Sequence, residues 1–151
     1  MEMDQTDRRI LQQMQLNSDL SLDALGEAVS LSRNACWRRI KLLTEAGIIK
    51  RKVALLDAEA VGLPLSVIIQ VRTDQHDTNW SAKFAKATRS IPQIQGVYRM
   101  SGDLDYLIRA RVADMKDYDR LYQKLTASVS LADVSASFVM EEIKETTALP
   151  L

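Results

Sequence analysis

The sequence predicts an α+β protein in two parts. A small three-helix head comes first, its last helix running into a basic exit segment, and a β-α-β-β-α-β domain follows. Three observations predict this. Positive charge is gathered in one stretch, Ser32 to Lys52. Up to that stretch, apolar residues recur at helical spacing in short runs. After Pro64 the pattern changes to β-branched apolar runs that alternate with helical ones.

The basic stretch reads SRNACWRRIKLLTEAGIIKRK and holds Arg33, Arg38, Arg39, Lys41, Lys50, Arg51 and Lys52 against a single acid, Glu45. The whole chain carries 20 basic and 20 acidic residues. The excess is therefore local, and a neutral chain is poorly suited to coating nucleic acid non-specifically. At 151 residues, with 46% hydrophobic and 26% charged, the composition is that of an ordinary globular protein of one domain or two small ones. No apolar run approaches the roughly 18 residues of a membrane span, and no signal-peptide pattern opens the chain. The expectation is a cytoplasmic, nucleoid-associated protein with no membrane partner. The one cysteine, Cys36, cannot form an intrachain disulfide or a Cys-rich metal site alone. The one histidine, His76, lies in the polar run Thr73 to Asp77. No nucleophile–base pair or metal cluster emerges, so neither an enzyme nor a metal or cofactor protein is expected.

Taking the elements in order, Asp4, Thr6 and Asp7 supply capping oxygens before Ile10, Leu11 and Met14, which share one helical face. A first helix is expected over about residues 5–16, ended by Asn17, Ser18 and Asp19. Ser21 caps a second, short helix with Leu22, Leu25, Ala28 and Val29 inward. Ser32 caps a third, closed by Gly47. On it Cys36, Ile40 and Leu43 form the buried stripe, while Asn34, Arg38, Lys41 and Glu45 lie opposite and Trp37 sits at the edge. Three helices with a tight link before a basic third helix form a helix-turn-helix. Its N-terminal residues enter the major groove, with Asn34 and Arg38 reaching base edges and Arg33, Arg39 and Lys41 contacting phosphates. A solvated helix face is the plain alternative for any one of these. Ile48, Ile49, Val53 and Leu55 suggest a wing or exit strand that carries Lys50, Arg51 and Lys52.

Residues 56–64 read as a helical turn stopped by Gly62 and Pro64, and the boundary falls there. The expected division is 1–52 for the DNA-binding head, 53–64 for a linker strand and turn, 65–144 for a ligand-binding and oligomerisation domain, and 145–151 for a tail. Leu65 to Val71 is a strand, Asn79 to Arg89 a helix, and Ile94 to Met100 and Tyr106 to Val112 two more strands. A helix follows Asp114 with Met115, Tyr118, Leu121, Tyr122 and Leu125 inward, and Val134 to Ile143 is the fourth strand. This order is the ferredoxin-like split βαβ. Val67, Ile69 and Val71 point to one face and Ile68 to the other. Both faces are then expected to be apolar, and a sheet-to-sheet homodimer is the simplest cover. The turn Met100-Ser101-Gly102-Asp103-Leu104-Asp105-Tyr106 could hold a free amino acid, its carboxylates on the ammonium group and its N–H groups on the carboxylate. Plain hairpin chemistry accounts for the Gly and Asp residues equally well.

These residues resemble the Lrp/AsnC, or feast/famine, family of bacterial transcription regulators over essentially the whole chain. Asp7-Arg8-Arg9-Ile10-Leu11 is similar to the family's opening helix. Cys36 to Leu43 followed by Ala46-Gly47-Ile48-Ile49 resembles its recognition helix and exit, and Ala54 to Asp57 its linker strand. Ser101 to Leu107 and Phe138 to Lys144 resemble its effector-domain signatures. One departure is Ser32-Arg33-Asn34-Ala35-Cys36, where many members have Ser-Pro-x-Pro-Cys; it bears on the operator sequence read. The resemblance implies a winged helix-turn-helix with Ser32 and Trp37 in its DNA-facing set, a RAM-type effector domain, and a pseudo-palindromic double-stranded DNA operator. It also implies homodimers that assemble to an octamer, with an amino-acid pocket between dimers. That pocket maps to Ser101–Tyr106, with Met100, Met115, Ser137, Phe138 and Val139 nearby. Trp37, Val112 to Lys116 and Thr146 to Pro150 look most like a cysteine-responsive branch, which activates a gene for cysteine desulfidation. Another effector such as leucine or methionine, or a non-sensing architectural DNA-binding protein, is the alternative.

Overall fold

The computed structural model describes residues 2–151. The chain forms two compact units: the described residues up to Leu55 together with Ile143–Leu151, and Leu56–Glu142.

The first unit is built on three helices, α1 (Gln5–Leu16), α2 (Leu22–Val29) and α3 (Arg33–Glu45). A capping box opens α1: Asp7 N–H donates to Asp4 Oδ1 at 2.8 Å, and Asp4 N–H donates to Asp7 Oδ2 at 3.1 Å. Ser21 and Ser32 cap α2 and α3 by accepting from Ala24 and Ala35 N–H. The apolar stripes meet in a core of Ile10, Leu11, Leu25, Val29, Cys36 and Leu43. Between α2 and α3 the chain reverses through Ser30 in the left-handed region, φ 57°. Leu31 N–H donates to the Gly26 carbonyl at 2.8 Å. This brings the Leu31 carbonyl so close that a Cβ on Gly26 would lie 2.5 Å from its oxygen. The tightness of the helix-turn-helix turn therefore rests on a residue without a side chain.

The expected strand from Ile48 to Leu55 does not form in this chain. Residues 50–57 are exposed, with Leu55 at 72% and Leu56 at 74%. They have no neighbouring strand to take their N–H and C=O groups, and an extended segment is a strand only when paired. The turn at 56–64 is present, closed by Val61, Gly62 and Leu63 N–H groups bonding back to Asp57, Glu59 and Ala58.

The second unit runs β1 (Leu65–Arg72), α4 (Thr78–Arg89), β2 (Ile94–Arg99), β3 (Tyr106–Val112), α5 (Met115–Ser128) and β4 (Asp133–Phe138). The sheet order is β2-β3-β1-β4, all neighbours antiparallel, which is the ferredoxin-like arrangement. Val67, Ile69 and Val71 share their face with Ile108, Ala110 and Val112 and pack with Trp80, Phe84, Leu121 and Leu125. Trp80 stacks on Phe84 at 5.0 Å and gives its indole N–H to the Ser130 carbonyl at 2.8 Å.

Three details differ from expectation. The fourth strand stops at Phe138, not Ile143. Val139 N–H still reaches the Ser66 carbonyl at 2.9 Å, but β1 begins at Leu65 and offers nothing further to pair. Met115 is 56% exposed, not inward, because it is the first residue of α5, directly after the cap Asp114. The sheet face away from the helices is mixed, not apolar: Ile68 and Leu107 share it with Ser66, Gln70, Arg109, Arg111, Ser135 and Ser137.

Gly26→Ala is expected to destabilise the three-helix unit by about 1–3 kcal/mol, the usual cost of forcing atoms into a packed turn. Urea unfolding followed by Trp37 fluorescence in a Trp80→Phe background checks this; an unchanged midpoint would contradict it.

Candidate functional site

On α3 the inner stripe is fixed and the outer face is free. Cys36 and Leu43 are fully buried, and burial pushes the Cys36 thiol up from its ordinary pKa, so it is a packing group and not a reactive one. Ser32, Arg33, Asn34, Trp37, Arg38 and Lys41 are exposed. Arg38 makes no ion pair with any described residue. Arg33 lies 3.7 Å from Asp23 and Lys41 lies 3.8 Å from Glu45, both solvated pairs that worth little and release readily. Trp37 is 54% exposed, with the Lys41 ammonium 5.4 Å from its ring centroid. A flat ring and a cation thus stand side by side on the exposed face, one apolar and one charged. Lys50, Arg51 and Lys52 are exposed on the unpaired segment after the helix.

Arg39 is placed differently from the phosphate contact expected of it. Its Nη1 sits 2.8 Å from Asp4 Oδ2 and 2.8 Å from Asp7 Oδ1, the two acids of the α1 capping box. The Asp7 side chain is only 3% exposed. A buried carboxylate needs a counter-charge, and Arg39 supplies it across from α3. The bonds with Asp7 and then Asp4 raise the pKa of Arg39. The Asp4 carboxyl is held below its ordinary range, first by the Asp7 N–H and then by the Arg39 guanidinium. The signal was present in the sequence as two acids three apart at a helix start facing a basic third helix.

The turn between β2 and β3 is closed by Met100 N–H donating to the Asp105 carbonyl at 2.9 Å, with Gly102 at φ +104°. Met100, Ser101, Gly102 and Asp103 are exposed; Leu104 and Asp105 are half-buried. Asp105 is partly occupied already: its Oδ2 accepts Thr73 N–H at 2.8 Å. Asp103 gives its carbonyl to Arg72 Nε at 3.1 Å, while its carboxylate has no partner among the described residues. Arg72 also reaches Asp133 at 3.0 Å.

One chain does not bring the expected effector residues together. The seven residues of β3 separate the turn from the end where Met115 begins α5, roughly 20 Å at about 3.4 Å per residue. Val139 bonds at Ser66, the far end of β1 from Val71, which accepts from Asp105 N–H. Ser137 and Val139 are exposed there. Tyr106 and Phe138 point into the helix-side core and are not free for a ligand at the turn: Tyr106 lies 4.5 Å from Phe84, and Phe138 meets Tyr118 edge-on at 5.2 Å. Their place follows from strand alternation. A separate cleft of about 430 Å³ between α4 and β2 is lined by Phe84, Ile94, Val97 and Tyr106 together with Arg89 and Arg99. Among the described residues no group of three or more His, Cys, Asp or Glu could hold a metal ion, and no helix is long and apolar enough to cross a membrane.

Residues 3–50 match the family model for winged helix-turn-helix DNA-binding domains, and residues 66–149 match that for the Lrp/AsnC ligand binding domain. The chain is 45% identical over 150 residues to the DNA-binding transcriptional activator DecR of Escherichia coli strain K12, covering 99% of both chains. It is 43% identical to a glutamate uptake regulatory protein of Zymomonas mobilis, covering 99% of this chain and 92% of that one. Among solved structures, a transcriptional regulator of Neisseria meningitidis in complex with L-Met superposes with a TM-score of 0.94 at 36% identity, covering 99% and 97% of the two chains.

Acid should unfasten this architecture in a defined window. A carboxyl whose folded pKa is depressed contributes stability that is present above its unfolded value of about 3.9 and is lost as pH falls through the lower folded value. Asp4 is one such group. Asp117 is another, held low first by Ala113 N–H and then by Gln93 and Arg120. Unfolding midpoints are expected to be flat from pH 7 to 5 and to fall below about pH 4. Arg39→Met is expected to cost about 1–3 kcal/mol at pH 7, the usual penalty for a buried acceptor that loses its donor, and to blunt the acid slope; an equal slope in both proteins would contradict the assignment.

Proposed function

The chain belongs to the Lrp/AsnC family of DNA-binding transcriptional regulators, and on that premise we propose that it reads a pseudo-palindromic operator as a two-fold oligomer and changes that reading when a small amino acid binds. The observation that carries the DNA-reading role is the split character of α3, core-locked on one side and exposed and basic on the other. Asn34 and Arg38 contact base edges. Arg33, Lys41 and Lys50 to Lys52 neutralise phosphates, and Trp37 packs on the sugar edge. Ser32 and its cap hold the N-terminus of α3 at the groove, where free N–H groups suit a phosphate. Arg39 leaves the contact set and becomes the residue that positions it.

The effector role rests on the turn. The exposed Asp103 carboxylate and the second oxygen of Asp105 accept from an ammonium group, while N–H groups about Ser101 and Gly102 take the carboxylate. Met115, Ser137 and Val139 lie too far away to close this site within one chain, so a second copy supplies them. The pocket then exists only between copies, and a ligand seated there shifts assembly by its differential affinity for the assembled form. Dimers that assemble further, to an octamer, satisfy this arrangement. We take cysteine as the effector, from the likeness of Trp37, Val112 to Lys116 and the tail to the cysteine-responsive branch. L-methionine is the second reading, favoured by the Neisseria relative solved with it. Such a regulator works in the cytoplasm, with the chromosome.

Arg38→Ala is expected to lower affinity for a duplex selected by the chain from a random library about tenfold or more, the worth of one base contact, and to flatten discrimination between mutated sites. Gel-shift titrations test it, and preserved discrimination refutes the base contact. Asp103→Asn, which leaves the Arg72 bond intact, is expected to keep DNA affinity while abolishing amino-acid binding by calorimetry. Undiminished binding would place the pocket elsewhere.

A further inference from the structure

Residues 143–151 follow β4 along the chain, yet they pack within the helix-turn-helix unit. They form no helix or strand of their own, and side chains of α1 fix them instead. Gln15 clasps Leu149 through both of its main-chain groups. Its Nε2 donates to the Leu149 carbonyl at 3.1 Å, and its Oε1 accepts the Leu149 N–H at 2.6 Å. This uses one donor and one acceptor of a single residue, as a neighbouring strand would. Gln12, three residues earlier on the same face of α1, donates to the Leu151 carbonyl at 2.6 Å. Between them Pro150 has no N–H to satisfy. The Leu151 side chain packs against the core of the unit. Thr146 Oγ1 accepts Ala148 N–H at 3.1 Å and shapes the approach.

The helix so clasped is the one that seats the recognition helix. Asp4 and Asp7 lie at the start of α1, Gln12 and Gln15 toward its end, and a helix of this length moves as one rigid rod. Through Asp7 and Arg39, a change in the seat of α1 is a change in the seat of α3. At its other end the tail continues from Val139, beside Ser137, in the segment assigned above to the amino-acid pocket. Pocket wall, tail, α1 and α3 thus form one chain of covalent and polar links.

We propose that residues 146–151 are a strap that couples the amino-acid pocket to the DNA-reading helix by gripping α1 through Gln12, Gln15 and Leu151. This rests on the effector reading given above and adds the route by which the ligand is felt. The link is reciprocal: whatever amino acid does to operator affinity, operator does to amino-acid affinity by the same factor.

The test uses the full chain, the selected duplex, and L-cysteine and L-methionine as probes. Gln12→Met with Gln15→Met removes the polar clasp and keeps the bulk. Gln15→Glu, a milder change, keeps the acceptor for Leu149 N–H and removes the donor. Operator affinity is measured with and without each amino acid, and amino-acid affinity by calorimetry. In both variants the ligand-free operator affinity and the amino-acid affinity are expected within about threefold of wild type. The factor by which the amino acid changes operator affinity, about 5- to 150-fold for an ordinary coupling, is expected to fall to within about twofold of one in the double variant, and part of the way in Gln15→Glu. A full wild-type factor in the double variant overturns the strap. So does a tenfold loss of ligand-free operator affinity with the factor intact, which makes the tail a structural brace alone. A wild-type protein that responds to neither amino acid overturns the effector reading itself, which separates that failure from failure of the strap.

Discussion

The structure of the DNA-reading unit depends on one carboxylate that cannot stand alone. Asp7 is buried at the start of α1. In that position its charge is tolerable only because Arg39 crosses from α3 to meet it at 2.8 Å, with Asp4 sharing the guanidinium. The planar fork of arginine suits two acids at once, which a lysine ammonium would not match in geometry. The consequence reaches beyond stability. Apolar stripes alone allow helices to slide and rotate by small amounts, since hydrophobic contact is non-directional. A charge-assisted bond between α1 and α3 is directional, so it selects one rotation of α3. That rotation decides that Arg38, and not Arg39, faces outward.

In the second unit the governing constraint is strand length. Four antiparallel strands give a sheet with two distinct ends. The β2–β3 turn lies at one end, and the start of α5 and the end of β4 lie at the other. No side chain spans that distance. Any ligand site that uses both ends would have to draw them from different molecules, and only such a site would tie ligand recognition to assembly. The face turned from the helices is suited to such contacts. It is part apolar and part hydrogen-bonding, with Ile68 and Leu107 beside Gln70, Arg109 and Arg111, closer to an interface than to a domain core.

Much of this was legible in the sequence because it depends on local pattern. The three helices, their serine and aspartate caps, and the order β-α-β-β-α-β follow from spacing and capping chemistry, and apart from the end of β4 the structure places them within a residue or two of expectation. What was not legible depends on partners. The segment Ile48 to Leu55 has strand propensity but no neighbour, and propensity does not supply one. Val139 to Ile143 has strand composition but lies beyond the end of β1. Arg39 stands at helical spacing from the buried Cys36 and Leu43, unlike Arg38, but that spacing names no partner, and only the three-dimensional position of Asp7 supplies one. Tyr106 and Phe138 sit in motifs of the effector turn and the last strand, yet alternation sends their rings to the core. Gln12 and Gln15 belong to no sequence pattern, and only the tail found against them gives them a role.

That return of the tail also bears on how the protein is made. The helix-turn-helix unit is discontinuous in sequence: its helices are finished by Leu55, but its last packing pieces come after Glu142. Between the two the ribosome must produce the whole second unit, roughly 90 residues, which at about 5–20 residues per second takes roughly 5–20 s. Throughout that interval the three helices have emerged with part of their surface unfilled. Only a chain translated past the second unit can complete the first, so a product cut short before it retains the exposed basic residues of α3 in an unfinished setting. Synthesis of the second unit is thereby written into the geometry of the first.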